Sequence, residues 1–339
     1  MNRYLQLAFI ATLCLVVSSC QHKDLCYNHN DHAHRYHVQV VADYRYDWEE
    51  CLGGPDWLSA WPAHYLPYDS LRPVKPSGLR VVDYSETGES NIHNLSADGG
   101  VVTLYAGYND LLFYNNDTEY IVFTRIDNGA TTRASTRSRT RSTYSGSKYA
   151  NDGEETVNSP DMLYANYFEE YLAEKLLKPA PLEVTLHPLV YTYKIRYEFK
   201  EGLEYVALAR GALTGMARSV SMNTGHTSEE PATILYDAEM TEFGARAIIQ
   251  SFGIPDYPHP NYPTRGTNKH ALNLEVMLKN GKTINFDFDV TDQVAKQPHG
   301  GVIVVKDIVV DKSDGTQGSG AFDVEVNDWG EYEDIYLPL

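Results

Sequence analysis

The 339-residue chain is predicted to be mainly β, with two antiparallel β-sandwich domains in tandem and one short helix between them. Three observations predict this. Apolar and polar residues alternate with period two over most stretches beyond residue 27, as in half-buried strands. Gly, Asn and Asp clusters bound those stretches and supply turn conformations. One segment instead carries apolar residues at i, i+4 and ends at Lys178-Pro179-Ala180-Pro181, where paired prolines stop a regular element and mark a domain boundary. At roughly 150 residues per domain, the length suits two cores.

In the first domain, residues 36–178, strands are predicted over 37–46, 79–84, 101–105, 111–114 and 119–124. Residues 51–75 hold Pro55, Pro62, Pro67 and Pro73, too many prolines for ladder pairing, and read as a long surface loop. Residues 128–158 are rich in Thr, Ser, Gly and Arg and nearly devoid of large apolar side chains, which predicts a mobile loop. Its Arg133, Arg137, Arg139 and Arg141 read as a basic patch for an acidic glycan or phosphate, a cut site for an Arg-specific protease, or a solvated loop that offsets an acidic body.

The predicted helix starts with Ser159 as N-cap, Pro160 at the first helical position and Asp161 in the first turn. Leu163, Tyr167 and Tyr171, with Tyr164, Phe168 and Leu172, form its apolar stripe. In the second domain, residues 181–339, strands are predicted over 182–186, 190–199, 205–209, 245–252, 271–278, 283–290, 302–310 and 322–326. Asn280-Gly281 predicts a type I′ hairpin turn. Residues 251–266, with four prolines, read as another long loop.

The N-terminus sets the expected compartment. Arg3 precedes a nearly uninterrupted apolar run over residues 5–17. Thirteen helical residues cover only ~20 Å, short of a ~30 Å hydrocarbon core, so the run reads as a signal peptide over residues 1–19. Val17-Ser18-Ser19-Cys20 resembles a bacterial lipobox, which implies cleavage before Cys20 and a diacylglycerol on its thiol. Each buried CH₂ of the acyl chains then contributes ~0.8 kcal/mol of membrane affinity, so residues 20–35 become a lipidated tether. Export permits a disulfide between Cys26 and Cys51. A strand over 37–46 holds the two thiols apart unless the preceding chain folds back.

The 46 acidic against 28 basic residues give a formal net charge of −18, which argues against phosphate-backbone recognition and hence against a nucleic-acid partner. No zinc-protease His-Glu-x-x-His, Gly-x-Ser-x-Gly elbow or dinucleotide Gly-x-Gly-x-x-Gly occurs, and Val276 stands where a phosphate loop before Gly281-Lys282-Thr283 needs glycine. Asp287 and Asp289 share one strand face and read as its wet side. No catalytic residue and no cofactor are expected.

His22, His29, His32, His34 and His37 form a local excess. His32 and His34, at i, i+2, project from one face of an extended chain and are the candidate metal ligands, against the plainer reading of a His-rich tether. Trp57 and Trp61, within the Trp/Tyr-rich stretch 48–68, are the candidate sugar-stacking platform, against an aromatic loop packed on its own domain.

Four stretches together carry a family resemblance: Cys20-Gln21-His22-Lys23-Asp24-Leu25-Cys26-Tyr27; Ser159-Pro160-Asp161-Met162-Leu163-Tyr164; Gly211-Ala212-Leu213-Thr214-Gly215-Met216-Ala217; and Asp289-Val290-Thr291-Asp292-Gln293-Val294 ahead of Gln297-Pro298-His299-Gly300-Gly301-Val302-Ile303. With them the chain resembles a Bacteroidales lipoprotein family of unknown function, similar to the FimB-like and Mfa-like anchor proteins of fimbriae. The resemblance implies transthyretin-like sandwiches, an outer-membrane lipid anchor exposed at the cell surface, and a non-catalytic role as anchor or accessory subunit with fimbrillin-like partners. Such subunits join by strand donation to an open sheet edge. The alternative is a surface glycan-binding lipoprotein that uses the 48–68 stretch.

Overall fold

The computed structural model describes residues 35–46, 72–142, 144–174, 181–260, 268–316, 329 and 332–335. Among them the strands are β1 (Arg35–Tyr44), β2 (Gly78–Ser85), β3 (Ser90–Ser96), β4 (Gly99–Tyr105), β5 (Gly107–Asn115), β6 (Ile121–Thr124), β7 (Arg133–Thr136), β8 (Ser138–Thr140), β9 (Glu155–Asn158), β10 (Tyr164–Ala173) and β11 (Leu182–Pro188). There follow β12 (Tyr191–Glu201), β13 (Val206–Ala217), β14 (Ser219–Ser221), β15 (Pro231–Thr241), β16 (Gly244–Ser251), β17 (Ala271–Leu278), β18 (Thr283–Asp289), β19 (Gly301–Val309) and β20 (Glu333–Ile335). Two short helices, α1 (Thr291–Val294) and α2 (Lys312–Thr316), flank β19. The protein is mainly β, as the alternation predicts.

The first half closes into a seven-stranded barrel, in the order β1-β11-β10-β5-β2-β3-β4. Alternation along β1 sends Val38, Val40, Ala42 and Tyr44 into a core shared with Leu79, Val81, Leu104, Phe113 and Tyr164. The expected sandwich is thereby corrected to a barrel. The closing strand is β11, which runs parallel to β1 from Val40↔Leu182 to Tyr44↔Leu186. It lies beyond the boundary expected at 178–181, while β9, from before that boundary, pairs with β15 in the other sheet. Strands therefore cross the prolines in both directions.

The second half is a ten-stranded sheet, β18-β17-β13-β15-β16-β12-β19, with β9 added to β15, β8 to β9 and β20 to β8. β15 pairs with β13 along most of its length but with β16 over Glu239–Thr241, so the sheet turns a corner there. Tyr193, Ile195, Tyr197, Tyr236, Leu274 and Ile303 share the core that it encloses. A small sheet, β14-β7-β6, and a further cluster that includes Leu112, Tyr114, Leu163, Val220 and Phe252 pack the barrel against this sheet.

Three local expectations are corrected. The inter-domain helix is strand β10, paired with β5. One extra residue between Phe168 and Tyr171 makes a bulge, with Glu170 at φ 54°. Tyr164, Phe168 and Tyr171 all pack on the barrel core, and the bulge turns their period-two spacing into i, i+4, i+7. Ser159 is no cap: its hydroxyl bonds Gln250 on β16.

The Arg-rich segment is not a loop throughout but contributes β7, β8 and β9. Small and β-branched side chains, Ala134, Thr136 and Val157, fill its buried positions in place of large apolar ones. The hairpin at Asn280-Gly281 exists, but only Gly281 takes positive φ. The turn is closed by Gly281 N–H donating to Leu278 O, which makes it a type I turn with a glycine bulge.

Candidate functional site

The small sheet ends at β14 and β6; the open, ten-stranded sheet ends at β19, at β18 and, along its branch through β9 and β8, at β20. One end of that sheet is sealed by side chains. Gln293 and Gln297, one turn apart at α1, face β19. Gln293 Oε1 accepts from Val304 N–H at 2.9 Å and its Nε2 donates to Val304 O at 3.0 Å. Gln297 repeats the exchange with Val302, at 2.6 and 2.9 Å. Two amides thus stand where a further strand would pair.

The β18 end differs. Among the described residues β18 pairs with β17 alone. Its Ile284, Phe286 and Phe288 pack against the core, and Asn285 and Asp289 are exposed. Asp289 is held below the ordinary carboxylate range by the Thr291 hydroxyl and backbone N–H. A partner strand added here meets a row of backbone groups with carboxylates beside it, which favours basic residues on that partner.

A cavity of about 410 Å³ lies at one end of the barrel, lined by Glu86, Glu89, Asp110, Asp127 and Glu170 with Tyr84 and Tyr108. The β10 bulge builds one wall: Asp110 accepts from Glu170 N–H at 2.9 Å and from the Tyr167 hydroxyl at 3.0 Å. Burial, and then that carboxylate, push the Tyr167 phenol up. Gly129 forms the floor, where a Cβ would sit 2.7 Å from both the Tyr84 and Tyr167 rings. No described Lys or Arg lines the cavity, so its carboxylates suit a cationic group.

Cys20, Cys26, Cys51, His32, His34, Trp57 and Trp61 lie outside the described residues. His37, the described member of the His-rich stretch, is exposed on β1 and bonds Thr103 Oγ1 at 3.0 Å. Among the described residues no group of three or more His, Cys, Asp or Glu could hold a metal ion, and no helix is long and apolar enough to cross a membrane. The cavity and the glutamine seal are absent from the sequence-based expectations. The one signal for the seal is the i, i+4 spacing of Gln293 and Gln297.

The fold has a solved counterpart. A candidate adhesin from Bacteroides ovatus is 22% identical, with 83% of this chain and 94% of that chain covered and a TM-score of 0.57. The chain therefore has an adhesin-like, mainly β fold. Residues 69–237 match the model of a domain of unknown function, DUF5119, a stretch that takes in β2 to β14 and crosses the expected boundary into β15. Weaker likenesses include the fimbrial anchor protein Mfa2 from Porphyromonas gingivalis, 11% identical over 80% of this chain and 91% of that one with a TM-score of 0.43. A candidate polysaccharide-binding protein (DUF1812) from Bacteroides thetaiotaomicron is 8% identical over 79% and 90%, with a TM-score of 0.44. No curated protein matches the chain.

Proposed function

We infer that the chain is a non-catalytic lipoprotein of the outer-membrane surface, tethered through an acylated Cys20, that serves as an anchor or accessory subunit of a fimbria-like filament. The observation that carries this reading is a contrast between two edges of the open sheet: β19 is capped by Gln293 and Gln297, while β18, among the described residues, pairs on one side only. A sheet blocked at one edge and open at another suits one-sided strand addition, in which backbone hydrogen bonds supply affinity and alternate side chains supply selectivity. The adhesin-like fold, shared over most of both chains, supports the same reading.

The test is to purify a tagged full-length protein from gently solubilised outer membrane of its native host. Co-purification of fimbrillin-like subunits or filaments is expected, and release of a Cys20→Ala variant from the membrane fraction is expected with it. Recovery of monomer alone, or full membrane retention of Cys20→Ala after a carbonate wash, contradicts the respective half of the reading.

A further inference from the structure

Two large apolar side chains stand exposed beside the acidic cavity at the end of the barrel. Leu172 on β10 lies directly across from Tyr108 on β5, and the two are 45% and 47% exposed. Tyr108 also lines the cavity, so the apolar pair adjoins the carboxylates. Adjacent exposed apolar groups rimmed by polar ones mark an interaction surface, where a single exposed leucine needs no explanation.

The charge beside this pair has one sign. Glu86 enters from the β2–β3 connection, Asp127 from the chain after β6 and Glu170 from the β10 bulge, and none of the three forms an ion pair with a described residue. Among the described residues no three acidic groups converge closely enough to hold a metal ion. The volume of about 410 Å³ also exceeds what one ion fills and lies within the roughly 300–1,000 Å³ of organic ligand pockets. Carboxylates spread around such a space suit a cation that is itself extended, a guanidinium or an alkylammonium.

We propose that this end of the barrel docks a partner protein through one arginine or lysine side chain, whose cationic end enters the cavity while a neighbouring apolar side chain of the partner covers Tyr108 and Leu172. Charge complementarity selects the basic residue, and the net charge of −18 draws a basic segment towards the chain before contact. The apolar pair selects a peptide over a free cation, which would meet the carboxylates and leave Leu172 uncovered. The inference rests neither on the filament reading nor on the β18 edge.

The experiment uses the full mature chain and calorimetric titration with a blocked pentapeptide that carries one arginine between two leucines. Saturable binding is expected, weaker by about five-fold when uncharged citrulline replaces the arginine and by about as much in the Glu86→Gln/Asp127→Asn variant. Leu172→Ser should weaken it by about three-fold. Glu183→Gln/Glu201→Gln, which removes two exposed carboxylates that do not line the cavity, should leave it unchanged. No saturable binding, equal affinity for the citrulline peptide, or equal losses in the two charge variants overturns the proposal. Arginine amide that binds as tightly as the peptide shows that the apolar pair contributes nothing, and overturns docking of a protein segment. The citrulline and arginine amide comparisons use the wild type alone, so they decide even where a variant does not fold.

Discussion

Gln297 and Val302 exchange two hydrogen bonds, side-chain amide to backbone amide, at 2.6 and 2.9 Å, and Gln293 does the same with Val304 at 2.9 and 3.0 Å. At about 0.5–1.5 kcal/mol net per bond, replacing both glutamines by alanine removes four bonds and should lower unfolding free energy by about 2–6 kcal/mol in urea titrations. It also uncovers a strand edge, so size-exclusion chromatography should show more self-association than the wild type does. A double variant that matches the wild type in both stability and association state would refute the seal.

Asp161 Oδ2 accepts three backbone N–H groups, from Glu119 at 2.7 Å, Tyr120 at 2.5 Å and Ile121 at 3.3 Å. An acid in the first turn of an exposed helix contributes less than ~1 kcal/mol. A carboxylate that collects three charge-assisted bonds contributes more, so Asp161→Ala should destabilise by about 2–4 kcal/mol. Chemical denaturation separates the two values.

Burial holds the His270 imidazole down at about 4 against an ordinary 6.5, while hydrogen bonding to Thr214 and the Glu154 and Asp289 charges pull it the other way. Between those values the unfolded chain binds a proton that the folded chain refuses. Stability is therefore full above about pH 6.5 and falls as pH drops towards 4, by about 3 kcal/mol from this group. His270→Asn should flatten the slope of unfolding free energy against pH in that window, and an unaltered slope assigns the dependence elsewhere.

Limited trypsin digestion should spare Arg133, Arg137 and Arg139, since β7 and β8 pair with neighbours on either side. First cuts within 133–141, detected by mass spectrometry of early fragments, would show that these pairings open readily in solution.

The strands legible in the sequence are those whose alternation is unbroken. β1, with Val38, Val40, Ala42 and Tyr44 inward, is one, and the β17–β18 hairpin around Gly281 is another. β10 is illegible because a single extra residue before Tyr171 makes a strand's spacing imitate a helix's. β7 to β9 are illegible because their buried positions hold Ala, Thr and Val among charged neighbours, a composition shared with loops. Barrel closure depends on the pairing of Val40 with Leu182, a contact with no local signature. The acidic cavity draws Glu86, Asp110, Asp127 and Glu170 from four separate parts of the chain, so no motif announces it.

The open edge of β18 is tested most directly by site-specific photocrosslinking in native cells. A photoreactive residue at exposed Asn285 on β18 is compared with one at exposed Lys306 on the sealed strand β19. The expected result is a discrete adduct with a filament subunit from position 285 and none from position 306. Adducts of equal yield from both positions, or none from 285 in cells that bear filaments, would contradict strand addition at this edge.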